Sequence, residues 1–270
     1  MKKFVLIFAA LTVCTAAFAQ GLTILHLNDT HSHLDPLPTG EAGVLERTAF
    51  IDSVRNADGE SNVLLLHAGD FSQGSSYFTL LSGDLEINLI NAMKYDCVTL
   101  GNHEFDNGVE ELGRRMSMLQ GTKAVCANYD FSSFEAGKYV KPYTILEKAG
   151  RKIGIIGVLC DISSVVSKQI ADRVPHFDTA DSVNKWADKL KDEEHCDLVI
   201  LLSHLGYKGE RGVNDTDLVG LVRNVDIIVG GHSHTFLDSM DVSHRDMDEK
   251  TVPIVQDGCW GYEVGVIHIK

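Results

Sequence analysis

The chain has 270 residues, 44% of them hydrophobic, and 24 Lys and Arg set against 38 Asp and Glu give a formal net charge of −14. So acidic a surface does not attract nucleic acid polymers or anionic lipid, and any phosphate chemistry has to rest on strong local positive charge. The length suits one large domain.

Lys2 and Lys3 precede an apolar stretch from Phe4 to about Val13, and Ala17-Phe18-Ala19 forms a small-x-small pattern before Gln20. This is the layout of a secretory signal peptide, too short to span a bilayer. Cys14 follows Val13, where a lipoprotein signal wants a small residue. Residues 1–19 are therefore expected to be cleaved and residues 20–270 to form a single domain exported to the periplasm or the cell exterior. No later segment is long and apolar enough for a transmembrane segment. Five cysteines remain (Cys97, Cys126, Cys160, Cys196 and Cys259), an odd number without a CxxC pair, and they read as buried free thiols.

Five apolar runs then end in short polar clusters. Ile24–Leu27 runs into Asn28-Asp29-Thr30-His31, Val63–Leu66 into Gly69-Asp70, and Cys97–Leu100 into Gly101-Asn102-His103-Glu104. Leu198–Leu202 runs into Ser203-His204, and Ile227–Val229 into Gly230-Gly231-His232-Ser233-His234. Such runs read as fully buried strands, as do Ala124–Ala127, Ile153–Val158, Pro253–Val255 and Val264–Ile269. Helical periodicity marks Glu41–Asn56, Tyr77–Met93, Val109–Leu119, Thr179–Glu194 and Asp217–Arg223. Alternation of the two predicts an α/β fold, with a second sheet suggested by the strand-rich close of the chain.

In open α/β sheets ligands sit beyond the carboxyl ends of strands, and these clusters place imidazole and oxygen donors there. Asp29 and His31 are two apart and project to one side of an extended backbone; His232 and His234 repeat the spacing. Asp70 has two oxygens with which to bridge, and Asn102 and His204 add one donor each. Seven donors exceed what one ion needs and fit a two-metal centre. Imidazole mixed with carboxylate, without thiolate, suits Zn, Mn or Fe better than Mg or Ca. Two divalent ions, less two carboxylates and a hydroxide, leave about one positive charge inside an acidic protein, which favours a phosphoryl group. Hydrolysis of a phosphate ester by metal-activated water follows as the expected chemistry. His103 and Asp106, three apart just past a strand, form a second signal. A carboxylate beside an imidazole orients it and raises its pKa, suiting it to stabilise charge or to protonate a leaving oxygen.

These residues resemble the calcineurin-like metallophosphoesterase superfamily, and within it the catalytic domain of the bacterial 5′-nucleotidase and UDP-sugar hydrolase family. The motifs are Leu25-His26-Leu27-Asn28-Asp29-Thr30-His31, Gly69-Asp70, Gly101-Asn102-His103-Glu104-Phe105-Asp106, Ser203-His204-Leu205-Gly206 and Gly231-His232-Ser233-His234, in the family's order from Leu22 to the chain end. The resemblance implies a four-layer αββα sandwich of two mixed sheets flanked by helices. It implies one metal on Asp29, His31, Asp70 and His234, a second on Asp70, Asn102, His204 and His232, and a catalytic dyad of His103 and Asp106. Asn102 and His103 would touch the phosphate of a nucleotide or other small phosphate ester. Nucleoside 5′-monophosphates lead as substrates, with UDP-sugars and 2′,3′-cyclic nucleotides as the alternative. The family's nucleotide-binding C-terminal domain is not seen, so base recognition is expected to be absent or supplied by a separately encoded protein. His67 stands where relatives more often have Asp or Ser.

Other polar residues read differently. His26 and His268 lie in apolar strands and are expected in the core. His33 reads as a loop residue near the site, His67 as packing or as support behind it, and His176, His195 and His244 as surface. Glu104 reads as a helix-start carboxylate or support for the site rather than a ligand. Asn128 is a candidate for the substrate cleft, with turn chemistry as its alternative. Gly154 and Gly157 read as strand glycines, and Asp238–Glu249 as a solvated acidic loop.

Overall fold

The computed structural model describes residues 21–209 and 211–270; the signal-peptide reading and Cys14 fall outside the described residues. One sheet has the strand order β11-β1-β2-β3-β4-β5, with β1 Leu22–Leu27, β2 Val63–His67, β3 Cys97–Thr99, β4 Lys123–Val125, β5 Val140–Lys141 and β11 Gly265–Ile269. The other runs β10-β9-β8-β7-β6, with β6 Tyr143–Lys148, β7 Arg151–Leu159, β8 Leu198–His204, β9 Ile227–Val229 and β10 Ile254–Val255. Both are mixed: β11 is antiparallel to β1 and β6 to β7, and the remaining neighbours are parallel.

Alternation along the strands decides the layering. Ile24, Leu64, Leu66, Ile153, Ile155, Leu198, Ile200 and Leu202 share one core between the two sheets. The intervening Leu25, Leu27 and Leu65 pack outward with Ile51, Ile87, Ile90, Leu112 and Met116. These belong to α1 Val44–Asp58, α3 Asp84–Ala92 and α4 Val109–Met116. On the other flank Ile156, Val158, Val199, Leu201 and Ile228 meet Val183, Ala187 and Leu218 from α6 Thr179–Asp188 and α7 Asp215–Leu218. Both faces of each sheet are covered, which is why the strands read as unbroken apolar runs. The result is the four-layer αββα sandwich. Between β4 and β7 a Cβ on Gly157 would stand 2.3 Å from the Val125 carbonyl oxygen, so only glycine fits.

Several elements differ from expectation. The predicted helix Tyr77–Met93 is two helices, α2 Ser76–Leu81 and α3. The chain breaks at Ser82 and Gly83, whose φ values of 54° and 91° end one helix and start the next. Helix α6 gives way to a π turn over Lys189–Glu193, and α7 begins at Asp215 rather than Asp217. Strands β5 and β6 and the short α5 Lys168–Ala171 were not expected. β6 is an edge strand, mostly half-buried, and its mixed polarity hides it. His26 is buried as expected and pairs through Nδ1 with Asp257 at 2.7 Å, whereas His268 is exposed on the edge strand β11. The five described cysteines are buried and unpaired.

Candidate metal centre

The strands β1, β2, β8 and β9 finish along one edge of the sandwich, and the chain turns sharply as each ends. Asp29, His31, Asp70, His232 and His234 all have left-handed backbones, with φ of 47°, 47°, 53°, 75° and 53°. Asp and His tolerate this region better than bulkier residues, yet each such residue costs on the order of 1 kcal/mol. Five at one place mark a site held by its surroundings. Gly101 admits the closest approach: a Cβ there would lie 2.1 Å from Asp70 Oδ1.

Three sets of donor atoms each lie within 4.8 Å of one another: Asp29, His31 and His234; His31, Asp70 and His103; and Asp70, His204 and His232. His31 Nε2 and His234 Nε2 are 3.0 Å apart, His234 Nε2 is 3.4 Å from Asp29 Oδ1, and His204 Nε2 is 3.1 Å from Asp70 Oδ2. Asn102 is buried beside them, its Oδ1 3.9 Å from Cys160 Sγ. His103 Nδ1 is 2.8 Å from Asp106 Oδ2 on the exposed side.

The hydrogen bonds leave particular atoms free. Asp29 Oδ2 accepts from Asn28 Nδ2 at 2.7 Å and from the His232 N–H at 2.8 Å, while Oδ1 is buried without a hydrogen-bond partner among the described residues. Asp70 Oδ1 accepts the His103 N–H at 2.8 Å. His204 Nδ1 is 2.7 Å from the Ala68 carbonyl oxygen and His31 Nδ1 is 3.2 Å from that of Gln73. A carbonyl only accepts, so both rings donate through Nδ1 and direct Nε2 inward, the arrangement that metal-bound histidines need. The orphaned Asp29 Oδ1 and the cluster of inward nitrogens fit a divalent cation.

Titration in the metal-free protein tells the same story. Burial opposes charge on His204, but Asp70 and Asp29 outweigh it and push the ring up to about 10. Burial would raise Asp70, yet His204, His31 and His103 hold it well below the usual carboxylate range. A proton sits where a cation would. Burial and the neighbouring His204 push His232 down to about 4. For His103, burial lowers the ring, and the Asp106 hydrogen bond with the nearby acids outweighs it, giving a net rise.

Support for the site comes from residues with weaker signals. Glu104 is buried, and its carboxylate accepts the backbone N–H groups of Asp70 (2.9 Å), Ser72 (3.1 Å) and Gly101 (2.7 Å), tying two metal-side loops together. Arg115 backs it by donating to Ser72 Oγ at 2.9 Å. Asn28 bridges Asp29, the Gly258 carbonyl and the Asp257 N–H; an amide closing an apolar run was its only signal. His33 stacks on Trp260 with ring centroids 4.8 Å apart. Asn128 does not line a cleft. It is fully buried, donating to the Leu159 carbonyl at 2.7 Å and accepting the Leu159 N–H at 3.0 Å, so it joins β4 to β7 instead.

Comparison with known proteins places this arrangement. A 5′-nucleotidase precursor from Thermus thermophilus, a crystal structure, superposes with a TM-score of 0.81 at 32% identity, over 93% of this chain and 51% of that one. The human 5′-nucleotidase is 32% identical over 281 residues, 94% of this chain and 47% of its own length. The trifunctional nucleotide phosphoesterase YfkN of Bacillus subtilis is 29% identical over 92% of this chain and 18% of its own length. The chain thus spans about half the length, or less, of these relatives. Residues 22–236 match the Metallophos family, calcineurin-like phosphoesterase, and with the sandwich and the His/Asp centre already described, the chain belongs to that family.

Proposed function

We propose that the protein is an exported phosphohydrolase that cleaves phosphate monoesters, nucleoside 5′-monophosphates first among them, with two divalent ions drawn from Zn, Mn and Fe. The observation that carries this reading is the meeting of Asp70 and His204 at 3.1 Å from two different sheets, among inward imidazole nitrogens. The similarity to 5′-nucleotidases from Thermus and human supports the substrate class. The Lys2–Ala19 pattern supports export.

In this reading Asp29, His31, Asp70 and His234 hold one ion, and Asp70, Asn102, His204 and His232 the other. When bound, the ions supply positive charge for the phosphoryl oxygens and acidify water for attack at neutral pH. Asn102 and His103 contact the phosphate. Asp106 accepts from His103 Nδ1 and fixes the ring, so that Nε2 carries a proton to the leaving oxygen as the ester P–O bond breaks. Glu104 keeps the Asp70 and Asn102 loops in register throughout.

A second reading, hydrolysis of phosphodiesters such as 2′,3′-cyclic nucleotides or UDP-sugars, draws on the relative named as a trifunctional nucleotide phosphoesterase. Chromatography of the products formed from AMP (adenosine and phosphate), UDP-glucose (UMP and glucose 1-phosphate), 2′,3′-cyclic AMP (a ring-opened monophosphate) and p-nitrophenyl phosphate by Mn- or Zn-loaded protein decides between them. Turnover of AMP above the cyclic substrate supports the first reading, the reverse order supports the second, and inertness towards all four overturns both.

A further inference from the structure

Behind the turn that bears Asp29 and His31 lies a small interior cavity of about 40 Å³, lined by Thr30, Arg47, His67, Glu86 and Tyr95 among apolar neighbours. Its polar walls are unusual. His67, Arg47 and Glu86 are only 1%, 5% and 4% exposed. Yet His67 Nδ1, Arg47 Nε and both oxygens of Glu86 have no hydrogen-bond partner among the described residues. Leaving four such atoms bare is costly, because a buried polar group without a partner loses its hydration and gains nothing in return. The cavity has room for water, which needs about 10–15 Å³ and two to four polar partners. Arg47 Nε–H is a donor and the Glu86 oxygens are acceptors that water in such a space would satisfy.

The other end of His67 reaches the metal side. Its Nε2 lies 3.1 Å from Thr30 Oγ1, and Thr30 sits between Asp29 and His31, both of which hold left-handed backbones. Arg47 anchors the same region from the cavity's far wall, donating to the His33 carbonyl at 2.6 Å and to that of Trp260 at 3.3 Å. Phe71 and Tyr95 pack against the His67 ring at 5.7 Å each and hold its plane.

We propose that His67 is a positioning residue for the metal-binding turn: hydrated in this cavity through an Nδ1–H donor, it presents Nε2 as the acceptor that holds the Thr30 hydroxyl. The Glu86 carboxylate lines the same cavity with both oxygens unpartnered among the described residues, and through water it offers that Nδ1–H an acceptor. Burial keeps the ring neutral, pushing its pKa down to about 3, so one nitrogen is always free to accept. The inference rests on the metal-centre reading but not on any choice of substrate.

Two measurements test it. Nitrogen-15 shifts of the His67 ring in the intact metal-free protein are expected to show Nδ1 protonated and Nε2 bare; a proton on Nε2 overturns the proposal. Mn²⁺ titration by calorimetry is expected to show affinity about 10–100-fold weaker in His67→Leu, as for other groups that orient metal ligands. His67→Gln, whose Oε1 takes the place of Nε2, is expected to recover most of it. Leu and wild type binding alike overturns the proposal, and so does Gln binding as weakly as Leu. Should His67→Leu fail to fold, the ring shifts and the Gln variant still decide. Wild type that takes up no Mn²⁺ overturns the metal centre itself, whereas intact Mn²⁺ binding with no hydrolysis of any of the four esters overturns only the proposed activity.

Discussion

Asp70 Oδ2 and His204 Nε2 stand 3.1 Å apart although Asp70 follows β2 in one sheet and His204 ends β8 in the other. That contact closes the gap between the sheets at the site, and each side chain is fixed by backbone: Asp70 by the His103 N–H, His204 by the Ala68 carbonyl. Asp70→Asn is expected to lower metal content and to cut kcat/KM more than about 100-fold, beyond the effect of losing a supporting group. Elemental analysis beside turnover checks it, and full metal occupancy in the variant would remove Asp70 from the ligand set.

Metal should stabilise the fold. A ligand bound only by the native state at about 100 times its Kd adds about 2.7 kcal/mol. For a domain of this size that raises Tm by roughly 5–10 °C. Thermal melts with Mn or Zn, then with excess chelator, are expected to show that rise and its reversal; an unmoved Tm argues against a preformed centre.

His103→Ala is expected to lower kcat by about two to four orders of magnitude while keeping the metal. Asp106→Asn acts through the ring. The Asp106 hydrogen bond contributes to raising His103 against the lowering effect of burial, so its loss moves the alkaline limb of the kcat profile to lower pH. An unshifted limb in Asp106→Asn would separate the carboxylate from the proton transfer.

Glu104→Ala leaves the N–H groups of Asp70, Ser72 and Gly101 without their acceptor. At about 1–3 kcal/mol for each buried unsatisfied donor, less what water recovers, the loss is on the order of 3 kcal/mol. Tm then falls by roughly 6–12 °C. Chemical denaturation of the metal-free protein checks this, and a change below about 1 kcal/mol would mean that the loops hold without the staple.

Asp215 predicts a pH effect. It is fully buried against Ser203, and burial pushes its pKa up to about 7 despite the Ser203 hydroxyl and His204, which favour the carboxylate. The folded value lies above the unfolded one of about 3.9, so the native state holds this proton more tightly. Its stabilisation is complete below pH ~4 and is lost as pH rises through about 7. The metal-free protein should melt lower at pH ~8 than at pH ~5, and Asp215→Asn should flatten that slope. Parallel slopes in the two proteins would exclude Asp215 as the source.

Much of this molecule was legible along the chain. The apolar runs at Ile24–Leu27, Val63–Leu66 and Leu198–Leu202 announced buried strands, because helices cover one face of each sheet and the other sheet covers the second. The gathering of polar side chains was legible for the same reason: a polar residue closing such a run lies where the strand leaves the apolar core, and Asp29, His31, Asp70, His204, His232 and His234 meet there. Ser82-Gly83 was a readable break inside an otherwise helical pattern, yet apolar spacing on both sides disguised it. Asn128 misled because the end of β4 looks like the other strand ends, while the crossing of β7 buries it. Glu104 and Asn28 were visible as polar residues, but the partners that define them lie far along the chain.

The order and chemistry of the donors, with the strands that present them, belong to the amino-acid sequence, since side-chain type and local periodicity are local properties. Which atoms meet belongs to the tertiary structure. Packing of Ile24, Leu64, Leu66, Ile200 and Leu202 between the sheets sets how near the strand mouths come. Carbonyls from Ala68 and Gln73 then choose which imidazole nitrogen faces inward. Distances across two sheets and the partner of each ring nitrogen depend on residues more than a hundred positions apart in several cases, and no local pattern carries that information.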